Sequence, residues 1–120
     1  MPQGKLKLLK RNCASHSTHI ENWWLKMLEK QIEAAVCDYA KAKGLLAYKF
    51  TSPARMAVPD RLFILPNGRM FFCEFKRGGA KPTESQAREH IKLRQHNVNV
   101  FVVDNVLSGK EMIELMLELC

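Results

Sequence analysis

Two β-type runs, Arg61 to Leu65 and Met70 to Phe75, flank Pro66-Asn67-Gly68-Arg69. An Asn-Gly between such runs is a strong hairpin signal, because both residues tolerate the backbone that a tight reversal needs. The hairpin decides what meets what. Asp60 enters the first strand where Glu74 leaves the second, so an antiparallel pairing brings them to the same end. Side chains alternate along a strand, which puts Glu74 and Lys76 on one face and Phe75 on the other. Two carboxylates and an ammonium converge at one sheet edge.

Close carboxylates repel, and the usual remedy is a hard divalent cation bound through oxygen. Magnesium needs only one or two carboxylates and keeps several waters. A lysine beside such an ion can orient or deprotonate a water there and can stabilise charge on a phosphate. These residue types point to metal-assisted phosphodiester hydrolysis. A bare Glu-x-Lys would read more simply as solvated charge at a hairpin end. The preceding Pro59-Asp60, the turn, and the apolar Phe71, Phe72 and Phe75 favour the chemical reading.

Pro59-Asp60, a hairpin and then Glu74-Phe75-Lys76 resemble the PD-(D/E)XK nuclease signature. Val58-Pro59-Asp60-Arg61 with a following Gln86 resembles its VRR-NUC branch, the virus-type replication-repair nucleases, in a minimal phage-type single-domain form. The resemblance runs from about Ile32 to Asp104. It implies an α/β fold, a restriction-endonuclease-like mixed β-sheet flanked by helices, with an α-β-β-β-α-β core and a C-terminal helix. It also implies DNA cleavage dependent on Mg2+ or Mn2+. By the same resemblance Asp60, Glu74 and the backbone carbonyl of Phe75 are metal ligands and Lys76 is the catalytic lysine. Glu33 matches the acidic residue of the first helix, a further candidate ligand, and Gln86 the glutamine that opens the helix after the strand pair.

The 120 residues suffice for one domain with its own core, here residues 18–120, preceded by a basic arm over 1–17. Lys plus Arg number 19 against 12 Asp plus Glu, a net +7, and the excess is uneven. Residues 53–96 carry nine basic and four acidic side chains, residues 104–120 one and four. Basic charge around the proposed site suits a polyanion, whose counterions are released on binding. Arg55, Arg61, Arg77 and Lys81 are the candidate DNA contacts, although Arg55 reads equally as solvated charge.

Four cysteines, Cys13, Cys37, Cys73 and Cys120, show no C-x-x-C, so neither a disulfide framework nor a structural zinc site follows. Cys13, His16 and His19 lack a fourth ligand. No apolar run approaches a membrane span, and no signal-peptide core follows the basic start. The expected location is the cytoplasm of a bacterial or phage-infected host cell. Without a P-loop or Gly-x-Gly-x-x-Gly, no nucleotide cofactor is indicated.

Thr18-His19-Ile20-Glu21 is a capping-box pattern, opening a helix expected to run to Lys43 and stop at Gly44. Trp24, Leu28, Ile32, Ala35 and Tyr39 draw its apolar stripe. Trp23 lies off that stripe, as a dimer contact or a cover for the sheet's far side. Glu33 borders the buried face beside Val36 and Ala40. On the helix alone it reads as the partner of a nearby lysine, and the resemblance turns it toward the site. Leu45 to Phe50 reads as a strand and Thr51 to Ala57 as a loop.

Thr83 and Gln86 form another capping box, which accounts for the glutamine without catalysis. One side chain is not expected to serve both roles, and the resemblance favours the active site. Arg88, Lys92 and Arg94 share no single face of that helix. Val98 to Val103 reads as a strand interior to the sheet, parallel to its partner across the helix. Ser108 to Leu119 reads as an acidic amphipathic helix with Met112, Leu115, Met116 and Leu119 on one side.

The expected activity is that of a metal-dependent endonuclease. Small members of the family resemble phage nucleases that act as homodimers on branched DNA, such as four-way (Holliday) junctions, in DNA repair. Flap cutting or nicking fits the same residues. The alternative outside enzymology is a non-catalytic DNA-binding module.

Overall fold

The computed structural model describes residues 18–119, with side chains from residue 23 onward. The basic arm, the Cys13-His16-His19 group and the Thr18 and Glu21 side chains lie outside the described residues. In chain order the elements are α1 (Thr18–Ala42), β1 (Leu46–Lys49), β2 (Arg61–Ile64), β3 (Met70–Phe75), α2 (Glu84–Gln95), β4 (Val100–Val103) and α3 (Val106–Glu118). The strands form one mixed sheet in the order β1-β2-β3-β4, antiparallel until the parallel β3–β4 pair that α2 crosses over to make. Helices flank both faces, so the α/β architecture with its α-β-β-β-α-β core and C-terminal helix is present.

The hairpin turn closes between Leu65 and Arg69, whose amide and carbonyl pair at 2.8 Å. Gly68 takes φ +91°, a conformation open to glycine, and Asn67 Oδ1 accepts from the Arg69 amide at 3.0 Å. From this turn the register is fixed down to Arg61↔Cys73. A slip by one residue would send Phe63, Phe71, Cys73 and Phe75 to the wrong face.

Those four side chains form the centre of the core, with Val36, Cys37 and Ala40 of α1 and Met112, Ile113 and Met116 of α3. Phe63 stacks on Phe71 at 5.1 Å and Phe101 meets Phe71 edge-on at 5.6 Å. Each such ring contributes roughly 1.5–3 kcal/mol by burial. The helix α3 approaches closely because Gly109 faces Val36. A Cβ there would lie 2.4 Å from Val36 Cγ2 and 3.2 Å from Val103 Cγ1. Cys37 and Cys73 are free, buried thiols.

Three expectations need correction. Trp24 is not a stripe residue: it is 55 % exposed, like Trp23 beside it. At 25 residues α1 is about 37 Å long, nearly twice the length of β3, so its first turns run past the sheet. Second, β4 is an edge strand and not an interior one, and Val102 is 38 % exposed. Third, α3 buries Gly109, Met112, Ile113 and Met116 while Leu115 and Leu119 face outward. The close seat of Gly109 on Val36 rotates the helix to that face.

Candidate active site

One ladder step beyond Arg61↔Cys73, Asp60 stands opposite Glu74. Asp60 is held from both sides. Its carbonyl accepts from the Phe50 amide at 2.9 Å, and its Oδ2 from the Phe75 amide at 2.8 Å. Pro59 before it is buried. The aspartate is thereby fixed by the main-chain amides of Phe50, just past β1, and Phe75 of β3, with little rotamer freedom left to lose.

Glu74 points to the face opposite the phenylalanine core, toward α2, and is 2 % exposed. Gln86 Nε2 donates to its Oε2 at 3.2 Å, and Lys76 Nζ lies 3.7 Å from the same oxygen. On the other side His90 Nε2 is 4.0 Å from Glu74 Oε1, and neither atom has a hydrogen-bond partner among the described residues. Burial, and after it the charge of Asp60, pushes the Glu74 carboxyl up to about 8, against the pull of Lys76. Burial and the nearby Arg94 and Lys76 charges push the His90 imidazole down. At neutral pH this end of the sheet holds Glu74 largely protonated and His90 neutral.

A buried carboxylate next to another, with one oxygen unpartnered, is expensive to ionise by itself. Each unsatisfied buried polar atom costs about 1–3 kcal/mol. A divalent cation between the Asp60 and Glu74 oxygens would remove the repulsion. The donors are hard oxygens, as magnesium and manganese require. Among the described residues no three His, Cys, Asp or Glu side chains cluster for a metal, so the protein offers the two carboxylates and main chain only.

Gln86 makes both sets of contacts, the cap and the one to Glu74, that seemed exclusive. Its amide donates to Thr83 Oγ1 at 3.2 Å and its Oε1 accepts from the Thr83 amide at 2.9 Å, which completes the capping box. The side chain's other end, Nε2, is the group on Glu74. The cap therefore fixes the rotamer that reaches the site.

Glu33 lines the cleft that also holds Asp60, Phe75, Lys26 and Lys30, but its Oε2 is taken by Arg61 Nε. That bond pairs Glu33 with Arg61 at the edge of the cleft that Asp60 also lines. Arg55 is tied to Glu89 on α2 at 3.0 Å, with its side chain still more than half exposed. Arg77 is half-buried and Lys81 exposed. His90 is the residue that sequence reasoning passed over. It stands four positions after Gln86 on a helix, which puts the two on one face, and that spacing was the available signal.

No protein-family model matches the chain. It is 46 % identical over 77 residues to the "Putative nuclease p44" of Acyrthosiphon pisum secondary endosymbiont phage 1, spanning 64 % of this chain and 83 % of that protein. A solved structure described as a "VRR_NUC domain" superposes with a TM-score of 0.68 at 34 % identity, covering 72 % of this chain and 94 % of the other.

Proposed function

The chain belongs to the VRR-NUC family of nucleases, and from that premise we propose that it is a divalent-metal-dependent DNA endonuclease acting on branched DNA, four-way junctions foremost, as a homodimer. The observation that carries the reading is Asp60 opposite Glu74, with Lys76 3.7 Å from Glu74 at the open end of the ladder.

Asp60, Glu74 and the Phe75 carbonyl would hold Mg2+ or Mn2+. When bound, the ion supplies Lewis-acid polarisation of the scissile phosphate and neutralises the two carboxylates. Lys76, as an ammonium, donates to the attacking water and to the phosphate oxygens on which charge grows. The water oxygen bonds to phosphorus as the bond from phosphorus to the leaving sugar oxygen breaks, and the water's proton passes through solvent to that leaving oxygen. Gln86 Nε2 holds Glu74 Oε2 and so sets the carboxylate plane. His90 Nε2 is placed to donate to Oε1 once Glu74 ionises, a closure of about 1 Å from its present 4.0 Å. Glu33 and Arg61 together wall the cleft beside Asp60.

One site cuts one strand, and a junction resolved symmetrically needs two, which a twofold dimer supplies. Trp23 and Trp24, both exposed at the start of α1, are suited to that contact. No described helix is long and apolar enough to cross a membrane, and a DNA substrate accords with a cytoplasmic location.

The test is cleavage of end-labelled four-way junctions and matched linear duplex in magnesium, manganese or EDTA, with Lys76→Ala in parallel. Paired, metal-dependent cuts confined to the junction are expected. Cutting of both substrates would retain the nuclease and remove the branch preference. Binding without cutting would leave a DNA-binding module.

A further inference from the structure

Three clefts share residues in series, and two of them are lined by Asp60. The first lies against α1, where Lys26 and Lys30, one turn apart, face Lys49 and Asp60. The second carries Lys49 and Asp60 on to Arg55 and Met56. The third carries Arg55 and Met56 on to Arg88 and Lys92, one turn apart on α2. Joined at these shared residues, they are one furrow across the site, with a pair of cations at each end.

The charges are not already spent. Among the described residues Lys26, Lys30, Lys49 and Lys92 have no carboxylate partner, and Arg88 has only a solvent-exposed contact with Glu84 at 4.0 Å. Of the furrow's carboxylates, Glu33 and Glu89 are held by Arg61 and Arg55, which leaves Glu29 beside Asp60. Arg94, by contrast, turns away from the furrow to donate to the Val100 carbonyl at 2.7 Å.

Between the two cation pairs stands Met56, 98 % exposed, the most exposed large apolar side chain among the described residues. A lone exposed methionine needs no explanation. What separates Met56 from that ordinary case is its mounting. The Arg55 amide donates to the Ser52 carbonyl at 3.1 Å in a tight turn, Arg55 is pinned to α2 through Glu89, and buried Pro59 anchors the other side. The loop holds an apolar tip upright, four residues before Asp60 and flanked by cations spaced along a furrow. Proteins that distort DNA insert apolar wedges of this kind, methionine included, between base steps.

We propose that the furrow is the path of the substrate strand, with Lys26 and Lys30 on one side of Asp60 and Arg88 and Lys92 on the other taking flanking phosphates, and that Met56 enters the base stack between them. The proposal rests on the nuclease reading and narrows its substrate to DNA whose stacking is already weakened, at a branch point, mismatch or gap, where a wedge displaces least.

The test uses four-way junctions carrying 2-aminopurine beside the branch point, bound to the Lys76→Ala protein in magnesium. Fluorescence should rise on binding. Adding Met56→Ala should abolish the rise while changing Kd less than about fivefold, and Met56→Leu should keep it. Each double variant, Lys26→Ala with Lys30→Ala and Arg88→Ala with Lys92→Ala, should reduce the slope of log Kd against log salt by about 1.8. All five positions are exposed, so melting temperatures should stay at the parent value. A fluorescence rise that survives Met56→Ala overturns the wedge. Slopes unchanged in both doubles, in a protein that cuts with metal, overturn the path alone. Absence of DNA binding and cutting in the unmodified protein takes the nuclease reading down with it.

Discussion

The two faces of the sheet are built to different specifications. The face under α1 and α3 is packed with Phe63, Phe71, Cys73, Phe75 and Ile113, all at 2 % exposure or less, with no polar side chain among them. The face under α2 buries Glu74 and His90 and leaves an oxygen and a nitrogen of theirs unpaired among the described residues. One strand supplies both, because Phe71, Cys73 and Phe75 alternate with Phe72 and Glu74 along β3. The lesson is a division of labour. Folding energy is concentrated on one face, and that surplus lets the other face carry charges that cost stability and do chemistry.

Lys76→Ala should sharpen that contrast most. Cutting should fall about a thousandfold, the scale of a lost donor to the charge that develops on phosphate, while junction affinity and melting temperature hold. Rates within a factor of ten of wild type would remove Lys76 from the chemistry. Its mirror image is Phe71→Ala, on the same strand but the opposite face. This should cost about 3–5 kcal/mol in denaturant unfolding, and the folded fraction should cut normally. A mild loss there would mean that the two faces are not so unequal.

The third prediction uses pH, in EDTA. A carboxyl that binds its proton up to about 8 when folded, against an ordinary 4.5, holds more protons in the folded state across that window. Stability from this group is therefore lost as pH rises from 4.5 to 8. Glu74→Gln removes the effect, so its melting temperature should exceed wild type by a margin that grows from pH 5 to pH 8, while cutting disappears. A constant margin would contradict the buried, cation-starved carboxyl. The smallest expected effect separates the two ends of Gln86. Thr83→Ala should cost about 1 kcal/mol of stability through the cap and leave cutting intact. Gln86→Glu keeps an acceptor for the cap but loses the donor to Glu74, so activity should fall with less effect on melting. Equal behaviour of the two variants would break the distinction.

Much of this face-by-face plan was readable in the chain, because hairpin chemistry and strand alternation are local. Asn67-Gly68 fixed the reversal, and the reversal fixed Asp60 against Glu74. What was not readable depends on neighbours distant in sequence. Nothing within α1 tells that the sheet ends before Trp24 does. The α3 helix is apolar at Leu115 and Leu119 as well as at Ile113 and Met116, so its buried face is chosen by where Gly109 can meet Val36. Val98 to Val103 is nearly all apolar although it forms an edge, since Val100 and Val103 are buried while Val102 stays partly open. His90 belongs to no motif quoted from the sequence, and only the helix geometry from Gln86 brings it to Glu74. The pairing of Arg61 with Glu33 joins residues 28 positions apart in the chain, which a linear sequence does not give.

The central claim is that Asp60 and Glu74 jointly hold a divalent cation at the end of the ladder. Paramagnetic broadening by Mn2+ reads this directly in amide NMR spectra, even where binding is weak. Substoichiometric Mn2+ should first erase the signals of Asp60, Glu74, Phe75 and Lys76 and the side-chain amide of Gln86, and Glu74→Gln should restore them. Broadening that begins instead at the acidic surface of α3, or that persists unchanged in Glu74→Gln, would contradict the account.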